Sequence, residues 1–93
     1  MSEQRAVQVR VTGRVQGVGF RVWTQAEARQ LGLAGWVRNE RDGSVSALLV
    51  GRGDAVARMI ERLHAGPPGA RVVDVQVEEA EIGEPLAGFR ITG

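Results

Sequence analysis

The residue types best suited to chemistry in this 93-residue chain fall in two short segments. One is Gln16-Gly17-Val18-Gly19-Phe20-Arg21, a pair of glycines followed by an arginine; the other is Trp36-Val37-Arg38-Asn39. Glycines let a backbone turn sharply and come close to a ligand, and such a loop leading into a helix aims backbone N–H groups at an anion. The same glycines would equally serve a plain strand-to-helix turn. Arg21 is expected in the first helical turn, against the positive end of the helix dipole. That position costs about 0.3–1 kcal/mol, which a bound anion would offset. A guanidinium also grips two phosphoryl oxygens in a bidentate way that an ammonium does not match, although Arg21 is only one of twelve basic residues, all arginines, most of which must simply be solvated. Asn39 either shapes the turn that follows it or works through its amide. That amide accepts a hydrogen bond from water and donates one to a phosphoryl oxygen, without repelling the anion as a carboxylate would. Two nucleotide motifs fail: there is no Gly-Lys-Ser/Thr, and Val22 stands where a dinucleotide fingerprint needs glycine.

These segments need a frame that brings them together. Val7, Val9 and Val11 alternate with Gln8, Arg10 and Thr12, the period of a strand with one buried face. Phe20, Thr24, Ala28 and Leu31 then recur at helical spacing, which predicts a helix over about 21–31 ending near Gly32. Gly35 to Asn39 and Val45 to Val50 read as a hairpin with Asp42-Gly43 in its turn. Asp54 is expected to cap a second helix lined by Val56, Met59, Ile60 and Leu63 and stopped by Gly66-Pro67-Pro68-Gly69. Val73, Val75 and Val77 mark a fourth strand, and Phe89 with Ile91 a short final one. The order β-α-β-β-α-β predicts an α+β fold, a ferredoxin-like α/β sandwich with an antiparallel sheet and both helices on one face. In that topology the first and second strands run parallel with the third between them. Two strand spacings then place the glycine loop and Asn39 about 10 Å apart, room for a phosphate and one water.

Length and composition narrow the function further. Ninety-three residues, without linker or repeat, suit a single domain, 1–93. The net charge is only +1, and the arginines are spread from Arg5 to Arg90 without a run, which argues against a nucleic-acid surface. An RNA-reading sheet of this type presents aromatics on its first and third strands, and Val7 to Val11 and Val45 to Val50 hold none, so Trp23, Trp36 and Phe89 are assigned to packing. With no cysteine and one histidine there is no disulfide framework, thiolate site, cysteine nucleophile or histidine cluster, and no metal or cofactor is expected. His64, near the end of the second helix, suits the helix dipole, and Glu78, Glu79, Glu81 and Glu84 suit solvent. Met1 to Arg10 contain no apolar signal core, and no stretch approaches the roughly 18 apolar residues of a membrane span. The default expectation is a cytoplasmic monomer without a membrane partner.

Together, Gly13-Arg14-Val15-Gln16-Gly17-Val18-Gly19-Phe20-Arg21, Gly35-Trp36-Val37-Arg38-Asn39, Asp42-Gly43-Ser44-Val45 and Pro67-Pro68-Gly69-Ala70-Arg71 resemble the acylphosphatase family, and the similarity covers nearly the whole chain. The resemblance implies a ferredoxin-like enzyme that hydrolyses the carboxyl-phosphate bond of small-molecule acyl phosphates to carboxylate and inorganic phosphate, without metal, cofactor or covalent intermediate. It implies that Arg21 and the loop residues Gln16, Gly17, Val18, Gly19 and Phe20 bind the phosphate, and that Asn39 positions the water. Some members of the family carry Cys in place of Gly19 and Thr in place of Glu40; Glu40 puts a negative charge beside Asn39. Two other readings stand beside hydrolysis. One is a module that binds phosphate or a phosphometabolite without turning it over. The other is a resemblance to the carbamoyl-phosphate-hydrolysing domain of hydrogenase maturation proteins, disfavoured by the lack of zinc-finger cysteines and further domains in this sequence.

Overall fold

The computed structural model describes residues 3–93; Met1 and Ser2, at the start of the expected 1–93 domain, lie outside the described residues. The elements are β1 (Gln4–Arg14), α1 (Phe20–Gln30), β2 (Ala34–Asn39), β3 (Val45–Arg52), α2 (Gly53–Ala65), β4 (Arg71–Glu79) and β5 (Phe89–Ile91). The valine alternation does what its period requires. Val7, Val9 and Val11 are buried, whereas Gln8 and Arg10 between them are exposed. Phe20, Thr24 and Ala28 of α1 and Val56, Met59 and Leu63 of α2 are buried, and the apolar residues of both helices share one core cluster with the three β1 valines. Both helices therefore cover the same face of the sheet. Each fully buried Val, Leu, Phe or Met contributes about 1.5–3 kcal/mol relative to exposure, so these stripes dominate the stability of the fold.

The sheet order is β4-β1-β3-β2-β5. β3 pairs antiparallel with β1 through Val11↔Val45 and with β2 through Asn39↔Val45, so β1 and β2 run parallel on either side of it. Their C-terminal ends, carrying the glycine loop and Asn39, share one edge of the sheet, as expected. The sheet is nonetheless mixed rather than wholly antiparallel, because β5 pairs parallel with β2 through Gly35↔Phe89 and Val37↔Ile91. The direction follows from the route of the chain. β4 ends beside Val7, at the start of β1, and the connection rejoins the sheet at the far edge where the Gly35 N–H donates to Gly88 O at 3.0 Å. Entering at the start of β2, the chain can only run alongside it.

The second helix also differs from its expected start. Its N-cap is Arg52, not Asp54, and Asp54 lies in the first turn, where its Oδ1 accepts from the Ala55 N–H at 2.8 Å. A carboxylate in that turn still meets the positive end of the helix dipole favourably.

Gly35 sets the β2–β3 approach. Its φ is +139°, and a Cβ there would stand 1.8 Å from the Leu48 carbonyl oxygen, a backbone atom that cannot swing aside. Gly35→Ala is expected to destabilise the protein by about 3 kcal/mol or more, combining a left-handed backbone with steric overlap in a packed sheet. Chemical denaturation read by circular dichroism checks this; an unchanged midpoint would contradict it.

Candidate active site

The glycine loop is built by two left-handed residues between two buried anchors. Val15 and Phe20 are buried, and Gly17 (φ +74°) and Gly19 (φ +77°) turn the chain between them from β1 into α1. Gly19 is the N-cap of α1, so it supplies no side-chain acceptor, and the first turn contains no acidic residue. The first helical bond runs from the Trp23 N–H to Gly19 O at 3.0 Å. Backbone N–H groups ahead of it have no acceptor within the helix, which makes this end receptive to an anion.

Arg21 lies in that first turn, half-buried, with its Nη1 donating to Gly93 O beyond the end of β5. Asn39 is the last residue of β2, and its N–H donates to the same Gly93 oxygen at 3.3 Å. One Gly93 oxygen thus links the arginine to the asparagine. The Asn39 Oδ1 is buried without a hydrogen-bond partner. An unpaired buried amide oxygen costs about 1–3 kcal/mol until it finds a donor; among the described residues the Thr24 Oγ1 is likewise buried without a partner. The cleft itself has a volume of ≈ 90 Å³ and is lined by Val15, Gly17, Gly19, Phe20, Arg21, Val22 and Asn39.

Five of the seven candidate residues, Gly17, Gly19, Phe20, Arg21 and Asn39, therefore line one cleft. The other two do not face it with their side chains. Gln16 donates from Nε2 to Glu40 O at 2.8 Å and to Ser44 O at 2.9 Å, and Val18 packs against the core. Only their backbones are open to a ligand role. Val15 and Val22 are additional lining residues. Val15 follows the β1 valines in the sequence and hints at its own burial, but exposed Val22 carries no local signal.

The charge expected beside Asn39 is compensated. Glu40 accepts from Arg38 Nε at 2.9 Å, and Arg38 stacks 4.7 Å above the Trp36 ring. The Arg38 guanidinium and the Ser46 hydroxyl hold the Glu40 carboxyl below the usual carboxylate range. The following turn is locked by Asp42, whose Oδ1 accepts from Ser44 N at 2.9 Å and from Ser44 Oγ at 2.6 Å while Oδ2 pairs with Arg10. A larger hollow of ≈ 700 Å³ lies on the helix-free face of the sheet, lined in part by Gln8, Arg10, Glu40 and Glu78, and contains none of the glycine loop. His64 is exposed in the last turn of α2, and Glu79 pairs with Arg5 at 2.8 Å, so neither joins the cleft.

A family model described as Acylphosphatase matches residues 7–91. An acylphosphatase of Rhizobium meliloti (strain 1021) is 61% identical over 97% of this chain and 95% of its own length. The structure of acylphosphatase from Bacillus subtilis superposes with a TM-score of 0.92 at 38% identity, covering 98% of this chain and 100% of that one. An acylphosphatase structure from Coxiella burnetii gives a TM-score of 0.91 at 37% identity over 96% and 93% of the two chains. A glycine loop opening a helix, an arginine in its first turn, an asparagine across the cleft and matches over nearly the full length agree: the chain belongs to the acylphosphatase family, enzymes that hydrolyse acyl phosphates.

Proposed function

We propose that the 90 Å³ cleft is where hydrolysis takes place, with Arg21 and the backbone N–H groups of Gln16, Gly17, Val18, Gly19 and Phe20 holding the phosphoryl oxygens, and with Asn39 placing the attacking water. The supporting observation is the orphaned Asn39 Oδ1 in a cleft shared with Arg21 and the loop glycines. The amide oxygen accepts a hydrogen bond from water, leaving a lone pair of the water directed at phosphorus. As the new P–O bond forms, the bond from phosphorus to the acyl oxygen breaks, and the carboxylate departs with that electron pair. The water proton goes to solvent or to the phosphate product.

A carboxylate is a good leaving group that needs no general acid, so positioning and charge stabilisation suffice. Arg21 and the helix N-terminus meet the negative charge spread over the equatorial oxygens. The proposed cycle uses only the chain's own residues and water. In this reading the chain works as one domain and one copy, in the cytoplasm, on small-molecule acyl phosphates rather than on nucleic acid or a membrane. Support for the last point is the net charge of +1 without a basic run. Among the described residues, no helix is long and apolar enough to cross a membrane.

The test is phosphate release from benzoyl phosphate in excess chelator. Sustained turnover at the rate seen without chelator is expected. Activity lost on chelation and restored by a divalent ion would overturn the metal-free mechanism, and binding without turnover would make the protein a phosphate-binding module.

A further inference from the structure

We infer that the Gln16 side chain is a positioning residue: it splints the phosphate loop to the turn that carries Asn39 and so sets the distance between the bound phosphoryl group and its water. The inference rests on the roles proposed above for Arg21 and Asn39.

Gln16 immediately precedes Gly17 of the cradle, and Glu40 immediately follows Asn39. The two segments belong to strands separated by β3, with no direct backbone pairing between β1 and β2. The Gln16 amide bridges this gap. Its Nε2 carries two hydrogens and donates to two carbonyls, Glu40 O at 2.8 Å and Ser44 O at 2.9 Å, in a part-buried position. Those carbonyls are the ones that close the turn. Glu40 O also accepts from Gly43 N at 3.2 Å, and Ser44 O from Glu40 N at 2.8 Å. The turn is stiffened again by Asp42, which ties down Ser44 and pairs with Arg10 of β1. Gln16 therefore attaches the loop to a rigid body rather than to a floppy one, and displacement of either segment must stretch two hydrogen bonds at once. A misplacement of about 1 Å in a catalytic arrangement can cost as much as 10²-fold in rate. At metal sites, side chains that only orient the ligating groups typically account for about 10–100-fold in affinity or activity, and the same scale is taken for Gln16.

The role separates from phosphate binding in a kinetic split. Gln16→Ala removes both bonds between loop and turn, while the turn keeps its own closing bonds and its Asp42–Arg10 pair and the Arg21 end of α1 stays anchored by Val15 and Phe20. Its kcat for benzoyl phosphate should fall about 10-fold or more, with competitive inhibition by inorganic phosphate changed by less than about twofold. Gln16→Glu supplies the chemical signature. Ionised, it sets a carboxylate against two carbonyl oxygens and has nothing to donate; protonated, its O–H donates to one of them. Its kcat relative to the unaltered protein should therefore lie at or below that of Gln16→Ala at neutral pH and climb as pH falls through the glutamic acid range. The Gln16→Ala ratio should stay flat across the same range.

Circular dichroism at each pH, well below the melting temperature, verifies that both variants are folded. Several results would overturn the inference: unchanged kcat in folded Gln16→Ala, a loss of phosphate inhibition matching the loss of kcat, a Gln16→Glu profile without acid recovery, or failure of both variants to fold. An unaltered protein that does not hydrolyse benzoyl phosphate would instead refute the catalytic reading on which the inference stands.

Discussion

Asn39→Ala is expected to lose about 10²–10³ in kcat on benzoyl phosphate while still binding inorganic phosphate nearly as well as the unaltered protein. The magnitude is that of removing one preorganised polar group from a site where charge develops in the transition state. The selectivity follows from the geometry. Asn39 stands at the end of β2, across the cleft from the loop that supplies the cradle, and its Oδ1 bonds to nothing in the chain. Truncation strands no internal donor of that oxygen, and the backbone bond from Asn39 N to Gly93 O survives it. The fold should therefore be kept. Calorimetry with phosphate, turnover of benzoyl phosphate and circular dichroism on the same samples decide the matter. A folded variant that keeps most of its turnover would make Asn39 a turn residue and leave the water without its proposed partner.

Arg21→Ala should fail in a different pattern, with phosphate affinity and turnover falling together and turnover falling by about 10²-fold or more. The guanidinium acts on the phosphoryl oxygens in the ground state and more strongly as their charge is redistributed, so KM rises and kcat drops. Arg21→Lys should recover charge but not the bidentate fork, and fall between the two. The bond from Arg21 Nη1 to Gly93 O is exposed, so its loss should be minor for stability beside the core contributed by Phe20 and Thr24 on the same helix. Kinetics at several substrate concentrations with phosphate as competitor test this. Normal phosphate inhibition in the alanine variant would remove Arg21 from the cradle. The two variants together distinguish a group that holds the anion from one that directs the nucleophile, which neither would do alone.

Local patterns in the chain are enough to locate the elements. The valine alternation in β1, the four-residue spacing of Phe20, Thr24 and Ala28, and the Asp42-Gly43 turn each report a period or a turn preference that arises within a few residues of backbone. Element order then implies the topology, and with it that Arg21 and Asn39 share an edge, because right-handed, unknotted connections leave few arrangements for β-α-β-β-α-β. What lay beyond local pattern was decided by packing between distant segments. β5 runs parallel to β2 because of where the chain re-enters the sheet, a fact about the route of residues 80–88 rather than about the sequence of Phe89–Ile91. Asp54 does not cap α2 because β3 runs on through Arg52 directly into the helix. Glu40 is held by Arg38, Gln16 reaches carbonyls 24 and 28 residues away, and one oxygen of Gly93 accepts from both Arg21 and Asn39. Each of these bonds needs a donor and an acceptor within about 3 Å, a condition met only when the sheet has assembled and one that residue types and spacing do not encode.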